Sequence, residues 1–577
     1  MKKTKYIFFV FSILIIVSCN KSLTEVPLDF YSPENSYTNK GQFESALAGI
    51  YSNVRSNFYA NADEVNNFDM LGIDCDFADN RGSGNGYSAY FNWNTLNADN
   101  TSGSGFSNKW WIRLYRLISM ANTIIDRAEQ PTAVWANTAE KNAIVAEAKF
   151  LRAFSYRFLA NMWGDVPLVI NETKTPKFDY TRAPQSEVYQ LCKADLEFAV
   201  KWMPYINTQT GGRAPREAAF HLLSEIDICL KDYTGAIAAA DSVIKGTNCM
   251  LMTSRFGKWT TFKSNAPTYQ GVQNSWGDVY FDLFQDGNFN FKEGNKEAIW
   301  NIEQDPTILG GNNTDVNPQS GGFFVMERWW GPAPWNIKDK NGVPNFLKDT
   351  LMGRPVGYLT PPKYIDSTIW LYKNDWNNDI RNSSYNIQRT WYWTNPASAF
   401  YGQQVTLANI QVPTDFVSRC APQFKKSVSA THYGKYKDAT SGQTHDNGRT
   451  YKDWYIMRLA ETYLLRAEAN MLKGDAAAAA ADINVVRNRA HATPVVAGDV
   501  SMDLILDERA RELYMEEFRL STLMRTGKLI EYILKYNGWA KANNITSLDP
   551  KLKRMPIPRA VIEANTGAVM TQNLGYY

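Results

Sequence analysis

The chain has 577 residues, 61 of them basic and 58 acidic, for a formal net charge of +3. So even a balance, with no long basic run, excludes the electrostatic footprint that nucleic-acid binding requires. Apolar residues make up 44% of the chain, enough for a large core and, at this length, for two or more lobes.

Lys2, Lys3 and Lys5 precede an apolar run from Tyr6 to Val17. That run is shorter than the ~20 residues a membrane-crossing helix needs and has the length of a signal-peptide core. It ends in Ile16-Val17-Ser18-Cys19, the form of a bacterial lipoprotein cleavage site. Residues 1–18 are therefore read as a lipoprotein signal and Cys19 as the acylated first residue of the mature chain. Several acyl chains, each adding ~0.8 kcal/mol per buried CH₂, make such an anchor durable. An ordinary cleaved signal with an incidental cysteine is the alternative. Residues 19–40, polar and containing Pro27 and Pro33, read as the tether.

From Gly41, apolar residues recur at helical steps: Phe43, Ala46, Leu47, Ile50, Tyr51 and Val54. Residues 73–108 change character, with many Asn, Asp, Ser and Gly; irregular stretches of that length are usually functional or disordered. Helices are predicted over 110–128, 138–162 and 185–203, the second ended by Trp163-Gly164-Asp165-Val166-Pro167. Two more flank the turn Lys231-Asp232-Tyr233-Thr234-Gly235. A similar pair downstream, 458–472 and 476–490, flanks Lys473-Gly474-Asp475. The Ala-rich arms suit the close contacts of tetratricopeptide-like helix pairs, although no clean 34-residue repeat is present. Helix is also predicted over 504–524, as one piece, and over 529–536.

Residues 247–455 interrupt this scheme. Rich in Gly, Asn, Pro and Trp, with only short fragments such as Glu297 to Ile302, they are too long for one loop. The expected fold is therefore mainly α. Tetratricopeptide-like helix pairs form a scaffold over 41–246 and 456–577, and a large irregular lobe carrying short strands spans 247–455.

The segment Glu147-Ala148-Lys149-Phe150-Leu151-Arg152-Ala153-Phe154-Ser155-Tyr156, running on to Trp163-Gly164-Asp165-Val166-Pro167, resembles the signature of the SusD/RagB family. So do Arg458 to Ala469, Glu508-Arg509-Ala510-Arg511-Glu512-Leu513, Glu517-Phe518-Arg519 and Pro556-Ile557-Pro558, in matching order. The resemblance spans essentially the whole mature chain. It implies a lipid-anchored, surface-exposed outer-membrane protein that binds oligosaccharides for a SusC-like TonB-dependent transporter. Residues 20–23 lack the acidic run often linked to surface export, which weakens the placement in the outer leaflet.

The charged signature residues tempt a catalytic reading, but Glu147, Arg152, Arg466, Glu468, Glu508, Arg511, Glu512, Arg519 and Arg525 are expected to hold helices together. His221, His432, His445 and His491 have no metal-ligand spacing, and there is no C-x-x-C pair, Walker loop or G-x-S-x-G elbow, so neither metal nor cofactor is expected. Cys192 and Cys229 are expected as buried thiols.

Sugar rings pack a C–H face on aromatic platforms while their hydroxyls need placed polar partners. Residues 74–94 supply Asp74, Asp76, Arg81, Tyr87, Tyr90, Trp93 and Asn94; the middle lobe supplies Trp276, Tyr280, Trp329 and Trp330. These are the candidate glycan-binding residues, with anchoring of long loops as the competing use of each aromatic. Two other functions stay open: capture of peptide or protein fragments with a similar transporter, and a surface glycosidase built on a carboxylate pair.

Overall fold

The structure, a computed structural model, describes residues 36–59, 69–80, 93–99, 105–246, 249–261, 277–305, 326–345, 353, 355–428 and 452–576. Its N-terminal helices are α1 (Lys40–Phe58), α2 (Gly105–Ala128), α3 (Thr138–Trp163), α4 (Gln185–Trp202), α5 (Arg216–Cys229) and α6 (Tyr233–Ile244). The C-terminal ones are α7 (Leu459–Lys473), α8 (Ala476–Arg489), α9 (Met502–Leu513), α10 (Arg519–Arg525) and α11 (Leu529–Tyr536). Among the described residues, no helix is long and apolar enough to cross a membrane.

Local chemistry sets the helix ends. Asn39 caps α1 by accepting from the Gln42 N–H, and Asn137 caps α3 by accepting from Glu140. Along α1 the buried Phe43, Leu47, Ile50, Val54 and Phe58 form one stripe. Helix α3 is buried on every side from Ile144 onward, because α2 and α4 flank it and α1 and α10 pack on it as well.

The two helix pairs are built alike. Asp232 and Asp475 each stand before the second arm and accept from the backbone N–H three residues on, Gly235 and Ala478. Although more than 200 residues separate the pairs in sequence, α6 of the first packs on α7 of the second. Ala236 and Ala469 sit at that contact with Ile228 and Leu465, and their small side chains let the helices approach closely.

The single helix expected over 504–524 is two. Helix α9 ends at Leu513, Met515 takes a left-handed φ of 68°, and α10 starts at Arg519. The break turns Glu516 and Glu517 in different directions: Glu516 toward Arg458 and Lys426, Glu517 toward Arg509 and Arg519.

Strands are short and paired in twos: β1 (Asp79–Asn80) with β5 (Leu359–Thr360), β2 (Val166–Pro167) with β3 (Arg182–Ala183), β4 (Ala298–Ile302) with β8 (Trp454–Arg458), and β6 (Ile387–Gln388) with β7 (Gln423–Phe424), all antiparallel. The β4–β8 ladder aligns Ala298 with Arg458 and Ile302 with Trp454, so the strand leading into α7 pairs with one from the irregular lobe.

Candidate functional site

Most of the described glycan-binding candidates lie inside the protein. Trp93 is 2% exposed, and its indole N–H donates to the Asp74 carbonyl at 2.7 Å. Asn537 donates to the same carbonyl, so Trp93 pegs the turn and leaves no ring face open. Asp76 is fully buried and salt-bridged to Arg519 at 2.7 Å. Tyr280 is buried, with its hydroxyl donating to the Glu512 carbonyl at 2.6 Å. Trp329 is buried against Tyr358, ring centroids 4.2 Å apart, and Trp330 meets Tyr514 edge-on. The reading of Asp74, Asp76, Trp93, Tyr280, Trp329 and Trp330 as direct sugar contacts is thereby corrected: they anchor long segments to the scaffold. The reason is area, since a large ring contributes most to stability where it leaves water fully. Asn94 is exposed. Cys19, Arg81, Tyr87, Tyr90 and Trp276 lie outside the described residues.

The structure does bring the segments of these candidates together. Strand β1 ends the 69–80 segment and pairs with β5, while Asp79 accepts from the Gly538 N–H. The backbone leading to β5 bonds the Trp329–Trp330 segment on both sides, Val356 to the Arg328 carbonyl and Gly357 to the Gly331 carbonyl. Tyr358, beside Trp329, completes the join.

The charged signature residues are paired inside the fold, chiefly across elements. Arg152 binds Asp195 and not Glu147; Arg466 binds Asp241 and Asp482; Arg525 binds Glu468. Glu508 with Arg511 is a pair made within one helix. His221 is buried, with Nδ1 2.8 Å from the Thr462 hydroxyl. The largest assembly joins Arg381, Lys426, Arg458, Arg487, Arg489 and Arg511 to Glu297, Asp375, Asp379, Glu508, Glu512 and Glu516. Cations and carboxylates are equal in number there. Burial by itself would raise the Glu508 carboxyl, but Arg381, Arg487 and Arg511 override it and hold the group down at about 2. Such carboxylates are neutralised and sealed from solvent. Among the described residues no group of carboxylates, histidines or cysteines is arranged to hold a metal ion.

Sequence reasoning missed a cleft of about 570 Å³ between α1, the Gly211–Arg213 turn and the end of β4. Glu44, Tyr51, Ser52 and Arg55 of α1 line one side; Gly211, Gly212, Arg213, Trp300, Glu303 and Asp305 line the other. Its walls are set by the first signature. Glu147, buried, accepts from Arg213 Nε at 2.9 Å and Nη2 at 2.5 Å and from the Tyr51 hydroxyl at 2.9 Å. The same hydroxyl accepts from the Ala214 N–H. Trp300, 2% exposed, packs edge-on against Phe150 and Phe154 below. Burial and the nearby Glu293 carboxylate raise the Glu303 carboxyl, while the Gly212 N–H opposes the shift. The one sequence cue was the double glycine at 211–212; Glu44 and Glu303 come from distant parts of the chain with no pattern linking them.

Residues 257–576 match the model of the SusD family, and residues 31–228 match a second model described as starch-binding associating with outer membrane. The chain belongs to the SusD family. Among curated relatives, SusD-like protein P2 of Formosa agariphila is 24% identical over the full length of both chains. The starch-binding protein SusD of Bacteroides thetaiotaomicron is 36% identical over 170 residues, 29% of this chain and 28% of that one. A solved laminarin binding SusD-like protein shares the fold with a TM-score of 0.61 at 20% identity, covering 94% of this chain and all of that one. The segments that resemble the family signature hold paired, largely buried charged residues of α3, α7 and α9 in this chain.

Proposed function

We propose that this SusD-family chain captures oligosaccharides at the outer membrane without altering them, held there through lipidated Cys19, and passes them to a SusC-like TonB-dependent transporter. The observation that carries the reading is the match of residues 31–228 to a family described as starch-binding and associated with the outer membrane. The relative named as a starch-binding protein supports it. Physical chemistry points the same way: glycoside hydrolysis needs two carboxyl groups facing the scissile bond, whereas the signature carboxylates are each paired with arginine. We assign the capture contacts to Arg81, Tyr87, Tyr90, Asn94 and Trp276, whose residue types supply the polar and aromatic partners a sugar ring needs.

The full-length chain, purified in detergent, should bind oligosaccharides on a glycan array, release no new reducing ends, and co-purify with a co-expressed SusC-like transporter. Cys19→Ala should abolish lipid labelling and membrane retention in cells lacking the transporter. Binding of peptides with no glycan retained would replace sugar capture with peptide capture, and steady release of reducing ends would overturn the non-catalytic reading.

A further inference from the structure

We propose that the cleft between α1 and the Gly211–Arg213 turn is a second saccharide site, lined by none of the glycan-binding candidates named above. The inference rests on the capture function above. Arg213 spends Nε and Nη2 on Glu147, which fixes its guanidinium plane. Its Nη1 makes no hydrogen bond among the described residues and stands 3.9 Å from Glu44 Oε1. That gap is too wide for a hydrogen bond, for which 2.7–3.2 Å is typical. A sugar hydroxyl answers both groups at once: its oxygen accepts from the guanidinium while its hydrogen goes to the carboxylate. Simple anions would meet Glu44, Glu303 and Asp305, and simple cations would meet Arg55 and Arg213, so the alternating lining selects neutral, hydroxyl-rich ligands.

On the opposite wall the Glu303 carboxylate lies against the Gly211 backbone, so close that a Cβ there would come within 2.5 Å of Oε1. Ala48, Gly49 and Ser52 leave the α1 side of the cleft low, and half-buried Tyr51 supplies aromatic surface. The volume lies within the range of small-ligand clefts, which is roughly 300–1,000 Å³. Pre-placed polar groups that need no rearrangement favour binding because little ordering remains to be done.

Calorimetric titration of the full-length chain in detergent with maltohexaose and with laminarihexaose tests this. Two binding events per chain are expected for the accepted sugar. Ala48→Trp, which fills the cleft from an exposed position, should remove one event and leave the other unchanged. Glu303→Gln, which keeps shape and removes charge, should weaken the same event ~tenfold or more. If Ala48→Trp fails to fold by circular dichroism, Glu303→Gln decides alone. A single event untouched by Glu303→Gln and Ala48→Trp overturns the second site and leaves the capture function standing. No binding of either sugar by a chain that binds no glycan on the array overturns both.

Discussion

Two regions of this molecule hold together by opposite means. Around α3 the interior is aromatic and aliphatic: Phe150, Phe154 and Phe158 interlock with Trp300 and Phe518, and the ion pairs form small groups, such as Asp195 with Arg152 and Lys149. Where the irregular lobe meets α8 and α9 the interior is ionic, with Arg381, Arg458, Arg487 and Arg489 each shared among two or three carboxylates. Apolar packing is non-directional and tolerates regular helices, which supply smooth faces. A lobe with little regular structure has no such face, and its contact is made by side chains long enough to reach. Arg381 carries three carboxylates from a loop position, Asp379, Glu508 and Glu512. Buried networks of this kind contribute little net stability yet are severe when broken, because the orphaned partner stays buried.

The sharpest break of that contrast is Arg458→Met. It leaves Glu297, Glu512 and Glu516 short of a cation and should cost about 3–5 kcal/mol, read as a fall in the urea midpoint. Loss below 1 kcal/mol would mean that the ionic region is held by its apolar contacts after all.

Leu159→Ala, near the C-terminal end of α3 and fully buried, should cost about 2–5 kcal/mol through the cavity it leaves. It should lower the stability-versus-pH curve uniformly without changing its slope. The ionic region behaves differently in acid. The Glu508 carboxyl is held at about 2 against an ordinary 4.5, so its stabilisation is complete above pH 4.5 and is lost as pH falls toward 2. Urea midpoints measured from pH 6 downward should therefore fall in the wild type and flatten in Glu508→Gln; parallel curves would refute the assignment.

Lys452 responds to pH with the opposite sign. Its buried ammonium donates to the Lys426 and Val428 carbonyls, and burial pushes its pKa from 10.5 down to about 8. A lysine depressed on folding is bound to fewer protons in the native state than in the unfolded one between those values, so stability should rise from pH 8 to 10.5. Lys452→Met should lose that rise in melting temperature. An undiminished rise would assign it to another group, Lys426 being the first to try.

The scaffold was legible in residue spacing because helices declare themselves locally. The alanines of 236–240, the caps Asp232 and Asp475, and the stripe from Phe43 to Val54 each lie within a few turns of one another, and the helices stand where those cues put them. The break between α9 and α10 was invisible because 504–524 keeps a helical pattern throughout. At the break two adjacent glutamates pair with Arg458, Lys426, Arg509 and Arg519, and the first two of those partners lie outside 504–524 altogether.

Trp93, Tyr280, Trp329 and Trp330 were misread for a related reason. In a Gly/Asn-rich segment, an aromatic that stacks on sugar and one that pegs a loop have the same sequence surroundings. The sequence by itself determined the helical scaffold, its family and the structural use of the charged signature, since these depend on periodicity and short-range chemistry. Only the tertiary structure decided which aromatics are sealed, which arginine meets which carboxylate, and that Glu44, Arg213 and Glu303 share one cleft. Those are distances between residues far apart in the chain, and local patterning carries no record of them.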